Sequence, residues 1–267
     1  MTTEYVDGRL AATGRASGRR SFWLVGLCFL LSGFAGLLYE TVWFRQFATV
    51  FGTSDAAIGA VLASYMGGLA IGSALAGRWA NRVKRPVLAY GLLEVGVAVG
   101  ALLIPVGLNA VEAARLAVLG GQPELPSAGG LLEIAADSTL AFVLIAIPTI
   151  CMGATLPLLA RHVARDSATE ASGRVGLLYA INTFGAVLGT LVAAFALLPA
   201  LGLWQTTLVG VVVNGVVFGL AVLVERVAGG AANGSVDAAG QAPLPDPLSS
   251  GEREPGGGPS ALGREGG

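Results

Sequence analysis

Glu94 is the residue whose type and position most demand a chemical account. It is the only charged residue in the apolar run 86–111. It stands eight residues after Pro86, about 12 Å along a helix at 1.5 Å per residue. A carboxyl at that depth in hydrocarbon must be protonated, paired, or open to a wet cavity. Two readings stand side by side: a proton- or cation-binding site, and a structural hydrogen bond between helices. Asn182 lies at a similar depth in a later run. Its amide could bond Glu94 if the two helices are neighbours; the alternative is a role as glue between other helices. Glu40 and Arg45 sit near the far end of the first run. Five residues apart, they point about 140° away from each other, so no pair within the helix is expected. Each could find a partner on another helix, and for Arg45 snorkelling to the interface is the default. Tyr65, near the middle of the second run, either lines a cavity or gives its hydroxyl to a backbone carbonyl.

Other chemistries lack their residues. Cys28 and Cys151 both lie inside apolar runs, and His162 is the single histidine. No protein-built zinc or haem site is expected from such a set. There is no P-loop, no H-E-x-x-H and no glycine-rich loop between a strand and a helix, so neither a cofactor nor catalysis by this chain is expected.

The elements that must position Glu94 follow from composition. Of 267 residues, 54% are hydrophobic and 12% charged, where a soluble domain carries about 25% charged residues. The net charge of -1 creates no field that would draw nucleic acid. Residues 1–20 are polar and end in Arg15, Arg19 and Arg20. The charge-free run 22–39 that follows is too long for a signal-peptide core, and no A-x-A site follows it. The first helix is expected to overshoot the hydrocarbon or to bend near Ser32-Gly33. A second charge-free run covers 56–77, and Pro86 opens the third at a position that suits a first helical turn. Residues 112–137 are broken by glycines and prolines, and the piece 112–119 could lie on the membrane surface. The fourth run, 138–160, contains Pro148 and Pro157, which should kink or break it. Residues 175–224 then carry no charge at all. That is too long for one span, and the break at 199–202 divides it into 175–198 and 203–224.

The expectation is an all-α membrane protein with six transmembrane helices over 21–226. A polar segment, 1–20, precedes them, and a tail, 227–267, is expected to be disordered. Arginine and lysine flank alternate ends: Arg9 to Arg20, then Arg78 to Arg85, then Arg161 to Arg174, then Arg226. The positive-inside rule therefore puts both termini in the cytoplasm, which requires an even number of spans. Small residues recur every fourth position, at Gly68, Gly72 and Ala76, at Gly96 and Gly100, and at Gly185 and Gly189. This spacing lets helix backbones approach closely.

The stretch Ser32-Gly33-Phe34-Ala35-Gly36-Leu37-Leu38-Tyr39-Glu40-Thr41-Val42-Trp43-Phe44-Arg45 resembles the first helix of bacterial fused major-facilitator/spermidine-synthase proteins. Residues 65–73 and 77–82 resemble the second helix and its loop. Pro148, Met152-Gly153-Ala154-Thr155-Leu156-Pro157 and residues 179–189 extend the likeness, which covers about 31–203. The loop 72–85 loosely resembles the glycine-and-arginine loop of major facilitator transporters, without its acidic member. Six helices would equal one half of such a transporter, a half built from inverted three-helix repeats.

The resemblance implies a bacterial inner-membrane location and a polyamine connection. The family's aminopropyltransferase domain has no counterpart in these residues. Two functions follow as expectations. The first is transport or sensing of polyamines or another small cation, with a homodimer or a partner completing the path. The second is anchoring of a separately encoded synthase-like enzyme.

Overall fold

The computed structural model describes residues 2–118, 131–164 and 168–240. Among them there are helices and no strand. Helix α1, Thr2–Phe51, runs without a break. Its apolar part, Phe22–Phe51, is 30 residues long, about 45 Å at 1.5 Å per residue against a hydrocarbon core of about 30 Å. Of the two expectations for this helix, the overshoot is present, and the helix is continuous through Gly33. It stops at Gly52, whose φ of 79° is left-handed backbone that glycine adopts without penalty.

Ser54 caps the next helix by accepting a hydrogen bond from the Ala57 N–H at 3.2 Å. That helix, α2, covers Asp55–Trp79 and ends in a 3-10 turn, Ala80–Arg82. Pro86 opens α3, Pro86–Val118, which passes through Pro105. Residues 112–118 thus continue α3 and do not form a separate surface helix. Helix α4, Leu131–Ala164, also continues through Pro148 and Pro157. The Pro148 ring packs on Gly100 of α3; of the kink or break expected at these prolines, the break is absent.

Helix α5, Ala168–Val192, leads into a π turn, Ala193–Leu197, where the Leu198 N–H bonds the Ala193 carbonyl. This wider turn comes just before Pro199, which has no N–H to give. Helix α6, Leu198–Gly240, is interrupted at Gly202, with φ 80° and ψ −176°. The expected break at 199–202 is therefore a single glycine inside an apolar stretch, Ser172–Val227, of 56 residues. Counted as continuous helical stretches among the described residues, five are long and apolar enough to cross a membrane, where the run lengths predicted six. Such helices are compatible with an integral membrane protein.

A second compact unit begins at Gly229, and its described part, 229–240, is helical. The rest of the expected disordered tail and the break over 119–130 lie outside the described residues.

The four-residue glycine spacing becomes contact. Gly185 and Gly189 of α5 lie against the Leu30 and Phe34 carbonyls of α1, and Gly33 lies against the Asn182 carbonyl. Gly68 and Gly72 of α2 meet Thr149 and Ile150 of α4, while Gly153 of α4 meets the Leu69 carbonyl. A Cβ at any of these positions would come closer than 3.0 Å to its neighbour. In lipid, where apolar surface gains little by leaving the solvent, such close packing is a main source of association.

Two buried apolar clusters result. One contains Leu38, Val42, Phe47, Val97, Ala101 and Ile145. The other contains Val25, Phe29, Val87, Leu159, Leu178 and Val217. On α1, α3 and α6 alike, the residues of the two clusters are separated in sequence by a polar one: Ser32, Glu94 and Asn214.

Candidate functional site

Glu94 is 1% exposed, at the seam between the two clusters. Its position on α3 faces Ser32 of α1 and Asn214 of α6. The Ser32 hydroxyl donates to Oε1 at 2.6 Å. The Asn214 amide donates to Oε2 at 2.6 Å and reaches the Glu94 backbone carbonyl at 3.3 Å. Both side-chain contacts are as short as hydrogen bonds to charged groups.

A second layer orients these partners. The Tyr39 hydroxyl donates to Asn214 Oδ1 at 3.0 Å. This fixes the amide: a hydroxyl donor on one end selects oxygen there and leaves the NH2 for the carboxyl. Tyr90, one turn before Glu94, donates to the Cys28 carbonyl at 3.0 Å and also interacts with the Ser32 and Glu94 side chains. Tyr39, Tyr90 and Asn214 are all fully or nearly fully buried. Every donor that meets the carboxyl is neutral.

The sequence candidates distribute as follows. Asn182 is not at Glu94. Its amide donates to the Phe29 carbonyl at 2.9 Å, joining α5 to α1. Glu40 is half-buried, close enough to Tyr65 to interact electrostatically. Arg45 is exposed, and among the described residues neither it nor Glu40 forms an ion pair. Tyr65 is buried, with its hydroxyl 3.5 Å from the Gly36 carbonyl and 3.7 Å from Met152 Sδ.

Of the five candidates, only Glu94 belongs to the buried network. Its actual partners, Ser32, Asn214, Tyr39 and Tyr90, were not singled out. Asn214 had a usable signal: it is the single asparagine in the charge-free run 203–224, ten residues before Val224 and thus near the depth of Glu94. Depth matched Asn182 equally well, and depth carries no information on which way a helix face points.

Two polar links join helix ends elsewhere. The Arg161 guanidinium hydrogen-bonds Asn81 in the turn after α2. Arg85 lies 3.9 Å from Glu225. A shallow cleft with a cavity volume of about 50 Å³ lies where α1 ends and α2 begins, with Phe44, Phe47, Phe51, Ile58 and Val61 in its lining. No charged side chain faces that cleft.

Glu94 is the one carboxyl of the arrangement, and its donors carry no charge that would neutralise a carboxylate. Comparison with protein-family models, with curated proteins and with solved structures gave no match.

Proposed function

We propose that the chain is a six-span, transporter-like membrane protein in which Glu94 carries one proton or one small cation, with a polyamine or similar organic cation as substrate. The observation that carries this reading is a carboxyl buried to 1% exposure and met only by neutral donors. A lone ionisable group within a membrane is costly and is by default functional.

The six-span count is supported by length. Residues 172–227 would extend about 84 Å as one helix, more than twice a hydrocarbon core of about 30 Å. Gly202 supplies a turning point within them.

Chemistry at the site assigns different roles to the partners. An ionised Glu94 accepts from both Ser32 and Asn214. When it takes a proton, one partner must change from donor to acceptor. A serine hydroxyl can do so, because it both donates and accepts. Asn214 cannot make this change, since Tyr39 holds its oxygen. Ser32 is therefore the adaptable partner and Asn214 the fixed one. Because Glu94 is enclosed, exchange with either side requires α1, α3 and α6 to part.

The test is spermidine flux into proteoliposomes. Wild type should show flux driven by a pH gradient, and Glu94→Gln should lose it while remaining folded. Equal flux in the mutant removes Glu94 from the mechanism. The closed hydrogen bonding around Glu94 favours a second reading, in which the cluster only locks helices and the chain anchors a separate synthase-like enzyme. Absence of flux in wild type, with recovery of such an enzyme from membranes, would favour that reading.

A further inference from the structure

One face of α1 carries polar side chains well beyond the Glu94 cluster. Ser32, Tyr39, Trp43 and Gln46 fall within an arc of about 60° at 100° per residue. They climb from the seam toward the end of the helix at Phe51. From Ser32 to Gln46 is about 21 Å along the axis. Tyr39 and Trp43 are at most 1% exposed and Gln46 is 8% exposed, so this face points inward throughout.

The lower part of the stripe is satisfied by protein, through Ser32 to Glu94 and Tyr39 to Asn214. The upper part is not. Trp43 Nε1 and Gln46 Oε1 are both buried without a hydrogen-bond partner. The first is a donor and the second an acceptor. Leaving either unmatched in a buried site is unfavourable. At i and i+3 the two residues are neighbours on one helix face. A buried water requires two or more polar partners, and this pair supplies two of complementary kind.

We propose that ordered water occupies the α1 face between Trp43 and Gln46, and that this is where the medium reaches the Glu94 cluster. Tyr39 is the link between the two parts. Its ring stacks on Trp43, with centroids 5.4 Å apart and planes 11° from parallel, and its hydroxyl holds Asn214. The inference rests on Glu94 being an exchanging site and assigns the side from which it exchanges: the end of α1 at Phe51 and not the end at Phe22.

Sided thiol labelling tests this without any transport measurement. Gln46→Cys, Val42→Cys and Thr53→Cys are each made in the full chain and reconstituted, with wild type supplying the background from Cys28 and Cys151. A charged, membrane-impermeant methanethiosulfonate is the probe. Thr53 is exposed in the turn after α1 and reports which side that turn faces. Val42, buried and apolar one turn before Gln46 and about 40° outside the arc, is the reference for a buried position. The expected result is labelling of Gln46→Cys from the same side as Thr53→Cys, several-fold faster than Val42→Cys. Protection of Gln46→Cys to the level of Val42→Cys overturns the proposal, as does labelling only from the opposite side.

If Gln46→Cys does not fold, the Trp43 indole N–H replaces it as the reporter. Its exchange in D2O is isolated as the difference between wild type and Trp43→Phe in ultraviolet resonance Raman spectra. Fast exchange in the folded protein supports a water at Trp43, and exchange as slow as that of core amides overturns it. Absence of spermidine flux in a protein that labels as expected would remove the transport reading and leave the water route standing.

Discussion

Asn214 and Asn182 are the same residue type in similar apolar surroundings, yet the structure gives them unequal consequences. Asn214 holds a carboxyl oxygen, a tyrosine hydroxyl and a backbone carbonyl at once. Asn182 makes one interhelical bond, to Phe29. Asn214→Ala leaves two buried groups without partners, at a cost of about 1–3 kcal/mol each. Asn182→Ala should cost about 0.6 kcal/mol, the average for one interhelical hydrogen bond in a membrane. Thermal denaturation of the detergent-solubilised protein measures the difference. Equal losses would mean that the Glu94 cluster is no more demanding than ordinary helix contacts. Tyr39→Phe offers a finer comparison: the ring and its stack on Trp43 stay, while the amide loses the group that orients it. Its loss should be about 1 kcal/mol, smaller than that of Asn214→Ala. At this scale the sequence was half legible. Glu94 announced itself, because a single charge in an apolar run has few acceptable explanations. Its partners did not, because serine, asparagine and tyrosine are ordinary in membrane helices, and sequence distance gives depth but not azimuth.

The helices themselves show which local signals survive a membrane environment. Pro86 marked a helix start correctly, since proline geometry is a local property. Pro148 and Pro157 did not end α4, and Pro105 did not end α3. In lipid a broken helix exposes carbonyls that nothing solvates, so neighbours and local adjustments absorb the lost hydrogen bond. The π turn before Pro199 is one such adjustment. Close contact between α1 and α5 depends on Gly189, where a side chain would strike the Phe34 carbonyl. Gly219 of α6 has nothing within 4 Å of an added Cβ. Gly189→Leu should therefore abolish recovery of monodisperse protein, while Gly219→Leu should leave it intact. Size-exclusion chromatography in detergent makes the comparison, and normal elution of Gly189→Leu would contradict the packing described. Gly202 is different in kind. Its φ of 80° costs a side-chain-bearing residue about 1–2 kcal/mol, so Gly202→Ala should destabilise through backbone strain although no neighbour is nearer than 3.9 Å.

For the whole molecule, the decisive quantity is the number of membrane crossings. Charge alternation and run length predicted six, whereas the continuous apolar helical stretches among the described residues number five. The difference lies entirely in 172–227, where one glycine with left-handed backbone interrupts an otherwise unbroken assignment. Contacts between helix ends bear on the answer. Arg161 near the end of α4 bonds Asn81 in the turn between α2 and α3, and Arg85 before α3 approaches Glu225 on α6. These links bring to one end the basic residues that the positive-inside rule assigns to the cytoplasm. If 172–227 crosses twice, residue 227 returns to that same end, and the approach of Arg85 to Glu225 occurs in the headgroup layer. If it crosses once, Glu225 emerges opposite Arg85 and the pair cannot form. Alkaline phosphatase and green fluorescent protein, each fused after Val227, separate the two cases. Two crossings predict fluorescence without phosphatase activity, matching a fusion made in the 82–86 turn. One crossing predicts the reverse at Val227 with no change at 82–86. That outcome would remove the even span count and, with it, the half-transporter architecture on which the Glu94 mechanism relies.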